Sequence, residues 1–323
     1  MGFSGDCICI KNDFSFERIE NLKVGDILYN PYNNKGSKIK EIKEEYSENG
    51  YKIKTTNFFE INVSEDTLFN ASSIIIDNNS DKYFLSTPTF VRAKDMNKVT
   101  FFLIPKIEQR KIEDFENLYL YSKALLKGVN SNVLILNNPK EKPITIENNS
   151  TNIKKIYLNK KTHSIDIEFY DSPFWLSDLN KKTSQRFINK KIFTISEESF
   201  YNFLVGVMLE NTDQFLNLNN FRMYSQSKMI VMQLFYLIIK NLNKFPNVEQ
   251  IKKDIWSYEK IKQSNKRNIF AITCKDDIKK PYFSNGFYYQ EIEYVDKNNR
   301  NIKYYKIITE DNEPFIVYNF IVN

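Results

Sequence analysis

Residues 2–30 read GFSGDCICIKNDFSFERIENLKVGDILYN, and this stretch decides the fold that we expect. Short runs of β-branched and aromatic residues alternate in it with polar residues, which is typical of short strands joined by turns. Ile8–Ile10 and Ile27–Tyr29 are predicted strands, and Asp13 lies in a turn between them. The stretch therefore predicts an all-β unit at the start of the chain.

The same alternation of short apolar runs and polar breaks continues to residue 106. A polar break, NPYNNKG at residues 30–36, ends the second predicted strand. Many short strands separated by such breaks indicate one β-rich unit over residues 7–106. The further strands are predicted at Tyr51–Thr55, Phe58–Val63, Ser73–Ile76 and Thr100–Ile104.

The pattern changes after Pro105, where helix signals first appear. Asp114 is a candidate N-cap for a helix that continues to Leu126, and Gly128 is suited to end it. Strands are then predicted at Asn132–Leu136, Ile144–Glu147, Ile153–Leu158 and Ser164–Tyr170.

The order of a helix followed by strands occurs a second time. Ser196 is the N-cap candidate of a second helix, which has two glutamates in its first turn, where the helix dipole favours anions. A predicted strand at Phe221–Tyr224 precedes a third helix at Ser227–Leu242, whose apolar sequence predicts burial. The repeated order, near 114–170 and 196–275, indicates a pseudo-duplicated α+β unit.

From Gly286 the chain returns to predicted strands. The simplest account is a β-rich unit that is split by an α+β insertion. We expect the first unit to comprise residues 1–106 and 286–323, and the insertion to comprise residues 107–285.

The composition is that of a globular chain with a mildly basic surface. Hydrophobic residues make up 41% of the 323 residues, and the formal net charge is +6. That charge is compatible with nucleic-acid binding and, more simply, with an ordinary solvated surface. We expect neither a membrane span nor a signal peptide. The three cysteines favour a reducing compartment over a disulfide framework.

The opening stretch resembles the N-terminal block of inteins, which are self-splicing Hint domains. That block has a Cys or Ser nucleophile, then Phe, small residues, a strand, an Asp turn and an Ile-Glu-x-Leu-x-x-Gly-Asp segment, which residues 19–26 match. In this register Gly2 stands at the position of the nucleophile. The segment Thr89–Pro105 resembles the strand pair that closes the first Hint half.

Two further blocks resemble the same family. EINVSEDTLFNAS has Ser64 and Thr67 at the positions of the intein Thr-x-x-His pair, so the histidine that helps to activate the scissile amide is replaced. In the tail, IKYYKIITEDNEPFIVYNFIVN, Lys306 and Pro314 stand at the family's Asp and His positions. The terminal His-Asn pair of inteins reads Val322–Asn323 here.

The insertion resembles LAGLIDADG homing endonucleases. Its better copy of their helix motif, SEESFYNFLVGVMLENTD, has Asn211 where the family has a metal-binding Asp. The weaker copy, ENLYLYSKALLKG, has Lys127 at that position and keeps the family's glycine as Gly128. The resemblance covers nearly the whole chain, and it implies an all-β Hint domain interrupted by an α+β LAGLIDADG endonuclease-like domain.

The residues at the splicing positions limit the chemistry that remains. Gly2 has neither the thiol nor the hydroxyl that the first acyl transfer needs. A register with Cys7 as the nucleophile shortens the distance to the next turn and loses the match, so we interpret Cys7 and Cys9 as small buried strand residues. Thr67 forms hydrogen bonds but is not an efficient base, and the single histidine, His163, matches no Hint block.

The C-terminal position is the one that keeps its chemistry. Asn323 has the side-chain amide that cyclises in inteins to release the C-terminal flank, although the simpler alternative is that it is only the last residue of this chain. Val322 cannot donate to the scissile carbonyl, so we expect any cleavage there to be slow. Splicing requires no cofactor, and its partners are the flanking host segments, the exteins.

The endonuclease positions are substituted as well. Lys127 places a positive charge where the family holds a cation, and Asn211 lacks a negative one. We therefore expect no metal site, and Mg²⁺ as a cofactor only if cleavage persists. DNA binding needs only cations and backbone donors, although a solvated basic face is the simpler interpretation. The candidate DNA contacts are Lys260, Lys262, Lys266 and Arg267.

Three hypotheses remain open at the level of sequence. The first is an intein-like splicing element that carries a homing-endonuclease domain and is degenerate in both activities. The second is a free-standing, intein-derived protein that binds or cleaves double-stranded DNA. The third is an unrelated soluble β-rich protein. We expect a monomer inside the cell, in the cytoplasm or the nucleus, without membrane contact.

Overall fold

A computed structural model gives the fold. No helix in its described part is long and apolar enough to cross a lipid bilayer. The structure describes residues 2–33, 35–56, 58–77, 82–98, 100–107, 112–125, 129–130, 133–137, 153–159, 164–179, 181–211, 220–251, 269–275 and 281–323.

The chain forms two compact units. Unit 1 comprises Met1–Glu108 together with Lys279–Asn323, and unit 2 comprises Gln109–Ile278. The described residues of unit 1 form strands and short 3-10 turns without an α-helix, so unit 1 is all-β. Unit 2 combines helices with two antiparallel sheets. The assignment of the two units to the Hint and endonuclease families stays a prediction.

Unit 1 contains strands from both ends of the chain. Its N-terminal segment supplies β1 (Phe3–Ser4), β2 (Ile8–Ile10), β3 (Phe16–Arg18), β4 (Ile27–Leu28), β5 (Ser37–Ser47), β6 (Gly50–Thr55), β7 (Ile61–Ser64), β8 (Leu68–Asp77), β9 (Lys82–Leu85), β10 (Thr89–Arg92) and β11 (Thr100–Pro105). Its C-terminal segment supplies β19 (Tyr282–Ser284), β20 (Phe287–Asn298), β21 (Ile302–Thr309), β22 (Phe315–Val317) and β23 (Phe320–Val322).

These strands pair antiparallel in the order β3-β2-β22-β23-β8-β11-β20-β6-β7-β1-β21-β5-β4, while β9 and β10 pair with β8 and β19 pairs with β20. The first strand, β1, lies between β7 and β21. The last strand, β23, lies between β22 and β8. Both ends of the chain are therefore interior strands of the sheet, and neither forms an edge.

Aromatic side chains fill the core beneath the last strand. The ring of Phe320 lies 4.5 Å from that of Phe102 and 5.6 Å from that of Phe69, measured between centroids. All three side chains are fully buried. These contacts join β23 to β8 and β11, so they hold the C-terminal strand in the sheet.

A carboxylate closes the turn before β4. Asp26 Oδ1 lies 2.7 Å from Lys11 Nζ, and its Oδ2 accepts a hydrogen bond from the backbone N–H of Lys23. Partial burial raises the pKa of Asp26, but the bonds from Lys11 and Lys23 outweigh it and leave the pKa below its usual value. A lowered folded pKa means that the carboxylate stabilises the fold above the unfolded pKa, near 4, and less as the pH falls through the folded value.

We expect Asp26→Asn to lower the free energy of unfolding by about 1 kcal/mol at pH 7 and by less at pH 3, because the pair is only partly buried. Urea unfolding at the two pH values measures the difference between wild type and variant. Glu41→Gln is the matched control, since Glu41 pairs with Lys43 in an exposed position. If Asp26→Asn lowers the free energy of unfolding by the same amount at pH 7 and pH 3, the stabilisation does not come from the ionised Asp26 carboxylate.

Unit 2 has an α+β composition. Its helices are α1 (Leu118–Ala124), α2 (Leu176–Leu179), α3 (Glu197–Asn211) and α4 (Lys228–Leu242). The strands β12 (Val129–Asn130), β13 (Val133–Asn137), β14 (Ile153–Asn159) and β15 (Ser164–Phe169) form one sheet, in the order β12-β13-β15-β14. The strands β16 (Phe221–Ser225), β17 (Asn247–Ile251) and β18 (Ile269–Cys274) form another, in the order β16-β18-β17.

Helices α1 and α3 approach each other closely at Gly206. A Cβ added there would lie 1.9 Å from Ser122 Oγ, so any larger residue requires Ser122 to move. Helix α4 is almost fully buried, and both polar ends of the Gln233 side chain bond the backbone of Ile188. Buried polar groups that are fully paired in this way add specificity to an apolar core.

The capped helices were predicted well, and one helix start was wrong. Ser196 Oγ accepts from the N–H of Ser199, and Ser227 Oγ accepts from the N–H of Ile230, which confirms both caps. Asp114, in contrast, lies outside any helix. Helix α1 begins at Leu118 because Asn117 has a left-handed backbone, through which a right-handed helix cannot continue.

One strand prediction needs correction, and one strand was not predicted. Phe58 lies in a turn, in which its own N–H donates to Thr55 O. The strand predicted at Phe58–Val63 therefore begins only at Ile61. The segment Thr89–Pro105 does contain two strands, β10 and β11, and both pair with β8. The long strand β5 was not predicted. The predicted strand Ile144–Glu147 and the helix stop at Gly128 lie outside the described residues.

Candidate functional site

Gly2, the predicted nucleophile position, is held by Ser64 and Thr67, the residues predicted at the Thr-x-x-His positions. The N–H of Gly2 donates to Thr67 Oγ1 at 3.1 Å, and Thr67 Oγ1 donates to Gly2 O at 3.0 Å. Ser64 contributes its backbone N–H, which bonds Gly2 O at 2.8 Å, and its hydroxyl, which lies 3.2 Å from Thr67 Oγ1. The structure thus brings Gly2 together with Ser64 and Thr67, which lie in a separate block of the sequence pattern.

The backbone at Gly2 leaves no room for a side chain. A Cβ at this position would lie 2.8 Å from Tyr304 Cβ and 3.6 Å from Ser64 Oγ. The backbone position of Tyr304 is fixed by strand pairing, since Tyr304 lies in β21 opposite Ser4 of β1. The contact is with the base of that side chain and not with its flexible end, so a nucleophilic side chain at Gly2 requires a backbone shift.

The other end of the chain reaches the same loop. The N–H of Asn323 donates to Leu68 O at 3.3 Å, and the preceding residue, Val322, pairs with Phe69 and is fully buried. We call residues 64–68, which connect β7 to β8, the Thr67 loop. One end of this loop binds Gly2, and the other end binds Asn323.

Two predicted positions of the C-terminal block lie along the sheet. Lys306 is on β21, where its cross-strand partner is Lys43 of β5. Two like charges that face each other across strands repel, so Lys306 does not mimic the acidic residue of inteins. Pro314 precedes β22, and its carbonyl accepts a hydrogen bond of 2.6 Å from Ser37 Oγ. Pro314 therefore has a structural contact in place of a proton-transfer group.

We expect Thr67→Val to lower the free energy of unfolding by about 1–3 kcal/mol, because a buried N–H of Gly2 loses its acceptor. The threonine is fully buried, so water does not replace the lost hydroxyl. Hydrogen exchange at residues 2–4 and chemical unfolding measure the effect. Ser15→Ala, which removes an exposed hydroxyl bonded to Asp13, is the control. Unchanged exchange at Gly2 would show that Thr67 does not hold the N-terminal strand.

A second polar cluster surrounds Cys7, and the sequence did not predict it. The Cys7 side chain is fully buried, and its Sγ lies 3.3 Å from Ser4 Oγ. The Ser4 hydroxyl donates to Asp6 Oδ1 at 2.7 Å, and the Tyr318 hydroxyl donates to the backbone carbonyl of Asp6 at 3.2 Å. No sequence signal links these residues, because Tyr318 is 312 positions from Asp6.

Burial sets the protonation states in this region. Desolvation raises the pKa of Tyr318 well above its usual value, and the nearby Cys7 and Asp6 raise it further. The pKa of the neighbouring Cys9 is also raised well above its usual range, first by burial and then by Cys7 and Glu17. Cys9 is therefore an inert thiol, as predicted for a buried strand residue.

All but one of the candidate endonuclease residues lie outside the part of the chain that the structure describes. Lys127, Lys260, Lys262, Lys266 and Arg267 lie outside the described residues. Asn211 is the last residue of α3. Across the residues that the structure does describe, no cluster of three His, Cys, Asp or Glu side chains is arranged to hold a metal ion.

Positive charge is concentrated in unit 2. Unit 1 contains 20 Lys and Arg against 22 Asp and Glu, and unit 2 contains the other 26 against 18. The net charge of +6 is therefore −2 in unit 1 and +8 in unit 2. Two cations on the sheets are partly neutralised, because Lys154 pairs with Glu168 and Arg222 with Glu249.

Comparisons with known proteins give a weak likeness only. No protein-family profile and no curated protein matches the chain. Among solved structures, the crystal structure of the gp41-1 intein matches at 13% identity over 28% of this chain and 79% of that intein, with a TM-score of 0.20. A variant of the same intein with three substitutions matches at 12% identity over 28% and 80%, also with a TM-score of 0.20.

Proposed function

We propose that unit 1 is an intein-like protein-splicing domain in which the first acyl transfer is lost and Asn323 keeps the last step. The observation that carries this proposal is the convergence of Gly2 and Asn323 on the Thr67 loop. Splicing joins the two flanks of a domain, so it requires both domain ends at one place. An ordinary β-rich protein has no need to hold them there.

The substitutions determine which step survives. Gly2 has no nucleophile, and Tyr304 occupies the space that one would need. At the other end, Asn323 Nδ2 would attack the carbonyl carbon of Asn323 and break the amide bond to a following residue. The products are a C-terminal succinimide and a free amine on the released flank, so atoms balance without a cofactor. Exteins are the partners of this reaction.

A fusion of the chain between two reporter domains tests the proposal. We expect no ligated reporter product, and slow release of the C-terminal reporter with a free amine, which leaves a succinimide or Asn at the end of this chain. Mass spectrometry of the junction measures the release. A ligated product would overturn the loss of the first step, and a fusion that releases nothing would overturn the retention of the last.

Matched variants separate cyclisation from general hydrolysis. Asn323→Ala is expected to abolish release, because alanine has no amide to attack the carbonyl. Asn301→Ala changes an exposed asparagine before β21 and is expected to leave the release rate unchanged. Release that persists in Asn323→Ala would contradict cyclisation.

A second candidate function, binding of double-stranded DNA by unit 2, is favoured by the concentration of net charge there. Phosphate contacts need only cations and backbone donors, so binding does not depend on the carboxylates that Asn211 and Lys127 replace. The paired residues Lys154 and Arg222 reduce the number of cations available in the described sheets. In this second candidate, Mg²⁺ is a cofactor only for cleavage.

Gel shifts on duplex DNA test this candidate. We expect binding at low salt that weakens steeply as salt rises, and no cleavage with or without Mg²⁺. The variant with Lys260, Lys262, Lys266 and Arg267 all changed to serine is expected to bind more weakly and with a smaller salt slope. Absence of binding at low salt would rule the candidate out.

A further inference from the structure

We propose that Asn70 is a positioning residue for Asn323, whose side-chain amide it orients by accepting a hydrogen bond at Asn70 Oδ1. This inference rests on the proposed function, because it concerns the step that unit 1 keeps in that proposal. Motif spacing assigns Asn70 no role, although it lies three residues after Thr67 in the second intein-like block.

The sheet register places Asn70 and Asn323 on one face as diagonal neighbours. Val322 of β23 pairs with Phe69 of β8, so the next residues, Asn323 and Leu68, lie opposite each other. The bond from the Asn323 N–H to Leu68 O agrees with this register. Side chains two residues apart on a strand share a face, and so do residues opposite each other. Diagonal neighbours lie about 7–8 Å apart, a separation that two carboxamide side chains and a hydrogen bond can span.

Asn70 presents a buried acceptor on that face. Its side chain is 6% exposed, and its Oδ1 has no hydrogen-bond partner among the residues that the structure describes. An unpaired buried acceptor costs free energy, so each such group in a native fold calls for a partner or a use. The Asn323 side chain carries two N–H donors, and the register brings it beside this oxygen.

Tyr32 sets the orientation of the Asn70 amide. Asn70 Nδ2 donates to the Tyr32 hydroxyl, so the oxygen end of the amide is directed away from Tyr32. Two contacts hold Tyr32 in place, because its ring lies 5.6 Å from that of Phe287 and its N–H donates to Asn30 Oδ1 at 2.9 Å. Burial raises the pKa of Tyr32, so its hydroxyl is neutral at pH 7 and is an acceptor for the amide.

Apolar side chains surround this part of the sheet. Ile321, which the same register places opposite Asn70, is fully buried in a cluster with Leu103 and Tyr289. A hydrogen bond in such low-dielectric surroundings is stronger than one in water. The bond from Asn323 to Asn70 therefore forms on the side of β23 that faces this cluster, where it restricts the rotation of the Asn323 side chain.

The bond orients the nucleophile and takes no part in the covalent change. Asn323 Nδ2 bonds to the Asn323 carbonyl carbon, and the amide bond to the following residue breaks. One of the two Nδ2 protons passes through solvent water to the leaving nitrogen, while the other stays in the hydrogen bond to Asn70. A side chain that is held near its attack geometry reacts faster than one that rotates freely. Val322 has no polar group for this task, so it falls to a residue of the neighbouring strand.

Release of a C-terminal reporter from the full chain tests the inference. Asn70→Leu, which removes the acceptor, is expected to slow release about 10- to 100-fold. Asn70→Asp keeps an oxygen acceptor that is stronger when ionised. The ratio of its release rate to that of wild type is therefore expected to rise from about pH 5 to pH 8. A residue that only supports the fold gives no such pH-dependent ratio.

Ser72→Ala is the matched control. Ser72 is also buried on β8 with an unpaired hydroxyl, and it shares the face of Asn70. Its cross-strand partner is Phe101 of β11, so it lies away from Asn323. We expect Ser72→Ala to release at the wild-type rate.

The outcomes separate this inference from the function on which it rests. If wild type and Asn70→Leu release at the same rate, Asn70 is not a positioning residue and the proposed function stands. If wild type releases nothing, the proposed function fails and the positioning role fails with it. Hydrogen exchange of the Asn323 side-chain amide, measured by NMR on the unfused chain, tests the hydrogen bond without any release. We expect faster exchange in Asn70→Leu than in wild type, and equal exchange would overturn the contact.

Discussion

Phe320→Ala is expected to lower the free energy of unfolding by about 3–5 kcal/mol, the range for removal of a buried phenylalanine. Phe320 is fully buried, and its ring touches Phe102 and Phe69 on the neighbouring strands. The truncation removes the transfer free energy of the ring and leaves a cavity between β23 and β8. Those strands cannot collapse freely, because Val322 still pairs with Phe69.

Two measurements report this loss, namely chemical unfolding of the protein and hydrogen exchange of the unit 1 amides. Phe84→Ala is the matched control, since Phe84 is 52% exposed and its loss opens no cavity. The variant also tests the proposed function, because β23 carries Asn323 to the Thr67 loop. We expect release of a C-terminal reporter to slow together with the loss of stability. A stability change below about 1 kcal/mol would place Phe320 outside the core.

The parts of the fold that sequence predicts are those with local causes. Helix α4 follows from one serine cap and an apolar run, and both are present within Ser227–Leu242. The turn at Asp13 follows from its side chain, whose Oδ1 accepts from the N–H of Ser15. In each case the residues that cause the structure are neighbours in the chain, so a pattern reveals them.

Strand β5 was missed because its pattern is mostly charged. More than half of Ser37–Ser47 is Lys or Glu, and the buried Ile39 is one of few apolar residues in it. The strand exists because β21 pairs with it over most of its length, from Ile302 opposite Ser47 to Thr309 opposite Ile39. That stabilisation comes from a segment at the other end of the chain, so local propensity carries no sign of it.

The candidate site follows the same division. Motif spacing placed Gly2, Ser64 and Thr67 in one family pattern, and the structure brings the three into contact. The steric exclusion by Tyr304 and the hydrogen bond from Tyr318 to the Asp6 carbonyl depend on contacts between distant segments. Motif spacing predicts neither contact, because the residues that neighbour Gly2 and Cys7 in the sequence do not indicate which tyrosine packs against them.

Trp175→Ala is expected to destabilise unit 2 by about 3–5 kcal/mol, which makes it the counterpart of Phe320→Ala in the other unit. Trp175 is fully buried, and its ring lies 5.6 Å from Tyr121 and 6.0 Å from Phe169. Its indole N–H also donates to Glu116 O at 3.1 Å, which fixes the segment before α1. The single side chain therefore joins α1 to β15 and to the backbone ahead of the helix.

Hydrogen exchange of unit 2 amides, compared with that of unit 1 amides in the same sample, measures the effect of Trp175→Ala. We expect faster exchange in α1 and β15, while amides of β8 and β23 keep their protection, because each unit has its own core. Tyr170→Ala is the control, since Tyr170 is 67% exposed. Equal loss of protection in both units would show that they unfold as one, and loss in neither would exclude Trp175 from the unit 2 core. Because DNA binding is proposed for unit 2 alone, the variant should weaken gel shifts without changing release at Asn323.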